Sequence, residues 1–435
     1  MNQAAAATST RLHLVRHCDV RNPNGVLYGH LPDFPLSEKG VKQAHALGRY
    51  FAGKSIPQIY SSPLERARQT AEIIASYLDS VPITYTDDLI ETKFGLYLQG
   101  IPPKQVPWRR PLWLIHMIWP GVLPNDESVA GLNRYPEPQP HELVEGLADL
   151  YDVPPETVLV GRGSDEAIDL LTRSFCRAGR DAVVVCPPTF GMYAVSARIQ
   201  GADVFTVPLR ADAGFALDES AVLERCTPEV KLVFLCSPNN PTGNLLDEQA
   251  ILRLAAKLAG RAIVVVDEAY IEFSSSVSLA RHLPKFPHLA ILRTLSKAHG
   301  LAGARCGTLI ADPEVIALLR KVIPPYAIAQ LTLEAVLRQL KPVELAESQA
   351  NIEVIQSERQ RLLAALPKLK RVARVWHSDS NFILAQFDDA GAALQLARDT
   401  QLLIRDARGY PGLGQTLRIT VGSVVQNNRL LEAWQ

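Results

Sequence analysis

From residue 157 to residue 294 the chain repeats one pattern, in which a short run of Val, Ile and Leu precedes a stretch with helical spacing. The apolar runs lie at residues 157–160, 182–186, 231–236, 262–266 and 289–292. Helical stretches such as 165–176 and 247–258 lie between them. Strands that are apolar along their whole length are buried on both faces, as in parallel sheets covered by helices. The pattern therefore predicts an α/β fold with a mainly parallel sheet.

The pattern changes after about Leu340. A long charged helix is predicted over residues 343–366, and strands are predicted over 372–376, 381–387 and 417–421. This order of elements is typical of a smaller α+β domain. We therefore expect a large domain over residues 132–340 and a small domain over residues 341–435.

The first 131 residues are organised differently. A strand is predicted over residues 11–15, a helix over 37–51 and a second strand over 59–61. A second helix is predicted to open with Ser62 as its cap and Pro63 at its first position. From residue 102 to residue 124, frequent prolines interrupt a segment that also contains tryptophans. We interpret residues 1–131 as a separate segment that ends in this Pro- and Trp-rich junction.

Composition excludes several classes of protein. Apolar residues make up 47% of the chain and charged residues 21%, which argues against wholesale disorder. Lys plus Arg and Asp plus Glu both number 45, so nothing indicates a surface for nucleic acid. The six cysteines form no C-x-x-C pair, the N-terminus has no signal-peptide pattern, and no apolar run approaches the roughly 20 residues of a membrane helix. We expect a cytoplasmic protein with no metal site and no nucleic-acid or membrane partner.

Polar motifs stand where several predicted strands end. Residues 161–165 link a strand to a helix and offer backbone amides and Ser164 to a phosphate group. Residues 237–243 follow the strand over 231–236, and residues 267–270 follow a fully apolar strand. Lys297 follows the strand over 289–292. Open α/β sheets bind ligands at the carboxyl ends of their strands, so we expect these motifs to meet there.

Each motif taken alone has an ordinary structural explanation. Residues 161–165 could be a plain helix cap and residues 237–243 a turn, while Asp267 could form a salt bridge and Lys297 could be solvated. Together they match what pyridoxal 5′-phosphate requires. It needs a phosphate site, a lysine for its aldehyde, a carboxylate for its pyridinium nitrogen, and Tyr and Asn donors for its ring oxygen. The combination predicts a pyridoxal-phosphate enzyme.

The chain from Leu132 onward resembles histidinol-phosphate aminotransferase, a family of the fold type I pyridoxal-phosphate aminotransferases. The resemblance lies in residues 132–136, 163–168, 188–193, 237–243, 267–273 and 293–307. It implies a large and a small domain, and a homodimer. It also implies transamination between histidinol phosphate and 2-oxoglutarate, with glutamate as the other product, in histidine biosynthesis.

The resemblance also implies roles for individual residues. Lys297 would be the catalytic lysine that binds the cofactor aldehyde and moves a proton, with Asp267 at the pyridinium nitrogen and Tyr270 at the ring oxygen. Phe190 would stack on the ring. The other cofactor-binding positions are Ser164, Asp165, Asn240, Ser296, Arg305 and, from the neighbouring subunit, Tyr135.

On the substrate side, Arg418 would bind the substrate anion and Arg405 would assist it. Arginine suits this task because its planar fork can bind a carboxylate or phosphate through two hydrogen bonds. The family also has an N-terminal arm that helps to close the substrate site, whereas in this chain unrelated sequence joins at Gly131. We expect cofactor binding to survive this difference, and substrate affinity and dimer packing to be affected by it.

The first segment resembles the histidine phosphatase (phosphoglycerate-mutase-like) superfamily, on residues 14–17 and 61–70. The resemblance implies that His17 accepts a phosphoryl group, that Arg16 and Arg66 neutralise its oxygens, and that Glu91 is the general acid. The superfamily also has a second His followed by Gly. The only His-Gly pair of this chain lies at residues 299–300, within the other motif set. We therefore predict a truncated phosphatase-like segment without turnover.

Three alternatives stay open at this point. A bifunctional enzyme could make and then dephosphorylate a phosphorylated amino compound. A phosphoamino-acid decarboxylase has the same fold and the same cofactor. Finally, a fusion of incomplete domains with an exposed Trp-rich junction could be a non-catalytic interaction protein.

Overall fold

The structure is a computed structural model, and it describes residues 13, 15–23, 28, 31–89 and 135–435. The chain forms two compact units, Met1–Ala130 and Gly131–Gln435. The Pro- and Trp-rich junction and the motif residues 132–134 lie outside the described residues. The predicted division of the second unit near residue 340 stays a prediction.

The described part of the first unit contains two helices that pack on each other and two parallel strands. These elements are α1 (Glu38–Phe51), β1 (Ile59–Ser61), α2 (Glu65–Ala75) and β2 (Ile83–Tyr85). Helix α2 begins at Glu65 rather than at Pro63, because the Ser62 hydroxyl accepts a hydrogen bond from the Leu64 amide at 3.3 Å and closes a turn before the helix. His13 and Val15 are not in a strand, and residues 11, 12 and 14 of the predicted strand 11–15 lie outside the described residues.

A seven-stranded sheet forms the centre of the second unit. Its strands are β3 (Val158–Gly161), β4 (Ala182–Val185), β5 (Asp203–Thr206), β6 (Val230–Cys236), β7 (Ile263–Asp267), β8 (Leu289–Thr294) and β9 (Gly307–Ala311). Their order across the sheet is β3-β9-β8-β7-β6-β4-β5. Strand β9 runs antiparallel to β3 and β8, and the other neighbours pair in parallel. The predicted mainly parallel sheet is confirmed, and β5 and β9 are additional strands that the apolar runs did not reveal.

Helices cover both faces of this sheet. They are α3 (His141–Tyr151), α4 (Ser164–Phe175), α5 (Met192–Gln200), α6 (Glu219–Arg225), α7 (Glu248–Lys257), α8 (Pro313–Leu319) and α9 (Gln330–Gln339). Val264 and Val266 of β7 belong to one hydrophobic core together with side chains of α3 and α7. Val265 between them belongs to a second core together with side chains of α4 and α5. Burial on both faces explains why β4 and residues 263–266 of β7 are apolar at every position.

The C-terminal part adds a smaller four-stranded antiparallel sheet with its own core. It comprises α10 (Pro342–Ala365), β10 (Val372–Val375), β11 (Phe382–Phe387), α11 (Ala390–Asp399), β12 (Arg405–Asp406), β13 (Thr416–Thr420) and α12 (Val424–Ala433). The sheet order is β10-β11-β13-β12. The predicted long helix and the three predicted strands of this region are confirmed.

A close backbone approach joins the small sheet to the large one. Gly243, in the loop after β6, has a φ of 83°, and a Cβ at this position would lie 2.5 Å from the Ser378 hydroxyl. The Asp379 amide donates a hydrogen bond to the Gly243 carbonyl at 2.7 Å. This contact holds the start of β11 beside the carboxyl ends of the large sheet. None of the helices in the described ranges is long and apolar enough to span a bilayer.

Candidate active site

A cavity of about 300 Å³ opens where the parallel strands β6, β7 and β8 end. Cys236, Asp267 and Thr294 are the last residues of these strands, and all three line the cavity. The other lining residues are Gly163, Ser164, Asp165, Phe190, Asn240, Ala269, Tyr270, Ser296, Lys297, Ala302, Arg305, Arg405, Tyr410 and Arg418. The parallel topology thus gathers the polar motifs at one edge of the sheet.

The start of α4 lines one end of this cavity with groups that can bind an anion. Gly163 precedes the helix with a φ of 87°, and no described side chain caps the first turn of α4. Arg305 Nη2 lies 3.3 Å from Asp165 Oδ2, and a Cβ on Gly163 would lie 2.8 Å from the same Nη2. Ser164 and Ser296 bring hydroxyl groups to the same cavity. Uncapped amides, hydroxyls and a guanidinium at a helix N-terminus fit a phosphate group.

Asp267 is a buried carboxylate at the end of β7. Its Oδ2 accepts a hydrogen bond from the Tyr193 hydroxyl at 2.7 Å, and its Oδ1 accepts one from the Ala269 amide at 3.1 Å. Burial raises the pKa of Asp267 to about 6, and the two hydrogen bonds oppose that rise. A buried carboxylate with this pKa is suited to pair with a cationic group such as a protonated pyridine nitrogen.

Lys297 lines the cavity from the loop after β8. Its Nζ lies 5.5 Å from the centre of the Tyr270 ring. Burial lowers the pKa of Lys297, and the positive charge of Arg418 adds to the effect. A lowered pKa increases the fraction of neutral amine near pH 7, which is the nucleophilic form and the proton-accepting form.

Asn240 and Arg418 meet on one wall of the cavity. Arg418 Nη1 donates a hydrogen bond to Asn240 Oδ1 at 2.6 Å. The guanidinium of Arg418 also lies 4.6 Å from the centre of the Phe382 ring, which packs edge-on against Tyr270 with ring centres 5.1 Å apart. These contacts connect a loop of the large sheet with β11 and β13 of the small sheet.

Arg405 and Tyr410 complete the side of the cavity that the small sheet provides. Arg405 is exposed and stands opposite Arg418 in the β12–β13 pairing. Two guanidinium groups on neighbouring strands can bind the anionic groups of a substrate. Tyr410 lies in the loop between β12 and β13 and adds a partly buried aromatic ring.

The cavity brings together most of the residues that the sequence singled out. The predicted cofactor and substrate residues that line it are Ser164, Asp165, Phe190, Asn240, Asp267, Tyr270, Ser296, Lys297, Arg305, Arg405 and Arg418. Tyr135 is exposed and stacks on Tyr326 with ring centres 4.5 Å apart, away from this lining. Its predicted contact with a neighbouring subunit stays a prediction. An anion site, a buried carboxylate and a lysine in one cavity fit pyridoxal 5′-phosphate.

Several lining residues were missed by reasoning from the sequence. They are Cys236, Ala269, Thr294, Ala302 and Tyr410. Tyr193 was also missed, although it belongs to the motif at residues 188–193 and holds Asp267. The available signal was its place in that motif, three residues after Phe190, because motif residues next to a predicted ring-stacking position are candidates for contact with the same site.

The predicted phosphatase residues of the first unit are only partly described. Arg16 is exposed, and His17 is partly buried with its Nδ1 2.9 Å from the Cys18 carbonyl oxygen. Arg66 is buried on α2, and its guanidinium lies 4.9 Å from the centre of the Tyr28 ring. Glu91 lies outside the described residues.

Comparison with known families follows this division into two units. Residues 125–433 match the family described as Aminotransferase class I and II. The chain belongs to this aminotransferase family. Residues 12–131 match the Histidine phosphatase superfamily (branch 1). The match agrees with the resemblance that the first segment shows in its sequence.

Comparison with individual proteins shows which aminotransferases and related enzymes this chain resembles. The histidinol-phosphate aminotransferase of Stenotrophomonas maltophilia (strain R551-3) is 48% identical over 309 residues, which cover 71% of this chain and 85% of that protein. A solved histidinol-phosphate aminotransferase from Sinorhizobium meliloti, in complex with pyridoxal-5′-phosphate, is 25% identical with a TM-score of 0.64 and covers 70% of this chain and 83% of that chain. The solved L-threonine-O-3-phosphate decarboxylase from Porphyromonas gingivalis is 26% identical with a TM-score of 0.60, over 70% of this chain and 92% of that chain.

Proposed function

We propose that this aminotransferase uses pyridoxal 5′-phosphate to transfer an amino group between histidinol phosphate and 2-oxoglutarate, a step of histidine biosynthesis. The observation that carries the proposal is that Lys297, Asp267 and the uncapped start of α4 face one cavity. The similarity to histidinol-phosphate aminotransferases supports the choice of substrate.

Asp267 and Lys297 have the two central tasks. Pyridoxal 5′-phosphate, when bound, withdraws electrons from the substrate carbon that loses its proton. Asp267 carries the negative charge that keeps a pyridine nitrogen protonated beside it, and Tyr193 and Ala269 hold this carboxylate in place. Lys297 Nζ would accept the proton from the substrate carbon and later give it up again, which is general acid–base catalysis by one group. Its lowered pKa favours the accepting form.

The proposed use of pyridoxal 5′-phosphate also gives roles to the residues around the cofactor phosphate and to a second subunit. Ser164, Ser296 and Arg305 bind the cofactor phosphate, where the amides at the start of α4 add partial positive charge. Tyr135 of a second copy reaches that phosphate, so the active protein is a homodimer. We place this homodimer in the cytoplasm. The exposure of Tyr135 in the single chain supports this role, because its ring is available to a partner.

Arg418 and Arg405 bind the anionic groups of the two substrates. Histidinol phosphate carries a phosphate ester and 2-oxoglutarate carries a distal carboxylate. A planar guanidinium can bind either of these anionic groups through two parallel hydrogen bonds. Arg418 is held by Asn240 and by the Phe382 ring, so it is oriented before the substrate arrives. Arg405 is exposed, lines the same cavity and supplies the second guanidinium for these anionic groups.

Replacement of the lysine tests the proposal. We expect purified wild-type chain to show the visible absorption band of lysine-bound cofactor, and Lys297→Ala to lack both this band and transamination. Lys285→Ala is the matched control, because Lys285 is exposed and precedes β8 at the other edge of the sheet. A wild type without the band, or a Lys297→Ala variant that keeps it, contradicts the proposal.

A phosphoamino-acid decarboxylase is the second candidate, and the similarity to the Porphyromonas gingivalis decarboxylase favours it. The two activities differ in the bond broken at the same carbon. A transaminase removes a proton and forms an oxo product, whereas a decarboxylase releases carbon dioxide. We expect wild type to consume 2-oxoglutarate with histidinol phosphate, and to release no carbon dioxide from O-phosphothreonine. Carbon dioxide release without oxo-acid turnover selects the decarboxylase.

A further inference from the structure

Tyr193 connects two groups that face the cavity from different elements. It lies in the first turn of α5 and is fully buried. Its hydroxyl donates to Asp267 Oδ2 at 2.7 Å, the short distance typical of a hydroxyl donor on an ionised carboxylate. Its ring lies edge-on to Phe190 with ring centres 5.6 Å apart. Phe190 lines the cavity, but Tyr193 does not.

The Tyr193 ring is held firmly enough to orient its hydroxyl. It stacks on Phe234 with ring centres 4.9 Å apart and an interplanar angle of 4°. Phe234 is a fully buried residue of β6, the strand next to β7. A phenol packed between two aromatic rings keeps a single orientation, so its O–H direction is set by the fold rather than by solvent.

We propose that Tyr193 is a positioning residue: its hydroxyl holds the Asp267 carboxylate ionised and oriented, and thereby sets how tightly the pyridine ring of the cofactor binds. The inference rests on the proposed function, because it concerns the same site. The second carboxylate oxygen of Asp267, Oδ1, accepts a hydrogen bond from the Ala269 amide. Each carboxylate oxygen therefore has one hydrogen-bond donor from the protein. Removing the Tyr193 hydroxyl leaves one of them without its donor.

The groups around Asp267 determine in which direction its pKa changes when the Tyr193 hydroxyl is removed, and so how cofactor binding depends on pH. The titratable or charged side chains that act on it are Tyr193 on α5, Asp165 on α4, Lys297 after β8, Cys236 on β6 and Tyr270 after β7. Burial raises the pKa of Asp267 and Asp165 adds to the rise, whereas Tyr193, Ala269 and Lys297 oppose it. Loss of the Tyr193 hydroxyl therefore moves the pKa of Asp267 upward from about 6, so less of the carboxylate is ionised at neutral pH.

The test measures binding of pyridoxal 5′-phosphate to the full-length apoprotein between about pH 5 and pH 9 by absorption or fluorescence titration. We expect Tyr193→Phe to bind about tenfold more weakly than wild type at pH 7, the factor of one lost charge-assisted hydrogen bond. We also expect the acid-side loss of affinity to begin at higher pH in the variant. Equal affinities and equal pH profiles for the two proteins overturn the inference.

Two further variants separate the hydrogen bond from packing. Phe234→Leu weakens the ring stack but keeps the hydroxyl, so we expect it to lower the melting temperature of the apoprotein without shifting the pH profile of binding. In an Asp267→Asn background, Tyr193→Phe is expected to add no further pH shift, because the titrating partner is gone. A pH shift from Phe234→Leu equal to that of Tyr193→Phe overturns the inference. A wild type that binds no cofactor contradicts the proposed function itself. A wild type that binds the cofactor, with an affinity and a pH profile that Tyr193→Phe leaves unchanged, contradicts only the role of Tyr193.

Discussion

Arg418 is a single residue that interacts with several of the groups around the cavity. Its Nη1 donates to Asn240 Oδ1, and its guanidinium packs on the Phe382 ring. It also contributes to the lowered pKa of Lys297. The positive charge of Arg418 thus adds to the effect of burial, which is the larger cause of the lowered pKa of Lys297.

At this residue scale we predict that Arg418→Ala raises KM for both substrates by about tenfold or more, because a hydrogen bond to a charged group contributes roughly 1.5–3 kcal/mol. Steady-state kinetics with each substrate varied in turn measures the effect. Arg408→Ala is the control, because Arg408 pairs with Asp406 at 2.7 Å and is not among the residues that line the cavity. Similar KM values for the two variants would contradict the prediction.

Among the elements, α4 and β9 come very close to each other at the end of the cavity that Gly163 and Ser164 line. A Cβ on Gly307, the first residue of β9, would lie 2.5 Å from the Ser164 backbone nitrogen and equally close to the Gly163 backbone. Real Cβ atoms do not approach backbone so closely, so an added methyl must displace the start of α4. Glycine at this position is therefore tied to the geometry of the anion site.

We predict that Gly307→Ala weakens cofactor binding about tenfold or more and destabilises the fold by about 1–3 kcal/mol, the usual cost of overpacking. Cofactor titration and thermal unfolding of the apoprotein check the two effects. Gly414→Ala is the matched control, because a Cβ at Gly414 would meet no atom within 4 Å and its φ is not left-handed. Unchanged cofactor affinity in Gly307→Ala would show that β9 does not shape the anion site.

The whole molecule combines two units with separate family relationships. All the cavity residues lie in the second unit, Gly131–Gln435. The first unit carries Arg16, His17 and Arg66 of a phosphatase motif, but the histidines between residue 18 and residue 131 are not followed by glycine. The bifunctional alternative therefore depends on whether His17 supports turnover.

At the scale of the whole chain we predict that His17→Ala leaves both transamination and the visible cofactor band unchanged, because His17 is not part of the cavity. We also predict that wild type and His17→Ala hydrolyse a simple phosphate ester, such as p-nitrophenyl phosphate, at the same background rate. Faster hydrolysis by wild type would establish the bifunctional enzyme. Loss of transamination in His17→Ala would show that the two units depend on each other.

The order of elements in the second unit could be predicted from the sequence because it depends on local patterns. Buried parallel strands are apolar at every position, and helices between them have their own spacing. Strands β5 and β9 escaped prediction for local reasons as well. Asp203–Thr206 is short with polar ends at the edge of the sheet, and Gly307–Ala311 begins with glycine beside a functional motif.

Much of the candidate site followed from the sequence for one topological reason. Residues that end neighbouring parallel strands must share an edge, so Asp267 and Lys297 could be expected in one cavity. Pairs of residues from different layers could not be predicted in this way. The hydrogen bond between Arg418 and Asn240 joins two sheets, and the contact of Tyr193 with Asp267 joins a helix to a strand.

The sequence by itself thus determined the layers, the cofactor class and the residues at the strand ends. Only the tertiary structure decided which groups donate hydrogen bonds to Asp267, which groups lower the pKa of Lys297, and that Tyr410 belongs to the cavity. The physical reason is that periodicity and strand-end position are encoded in neighbouring residues. Hydrogen bonds and burial at the site depend instead on how separate elements pack, which no local pattern specifies.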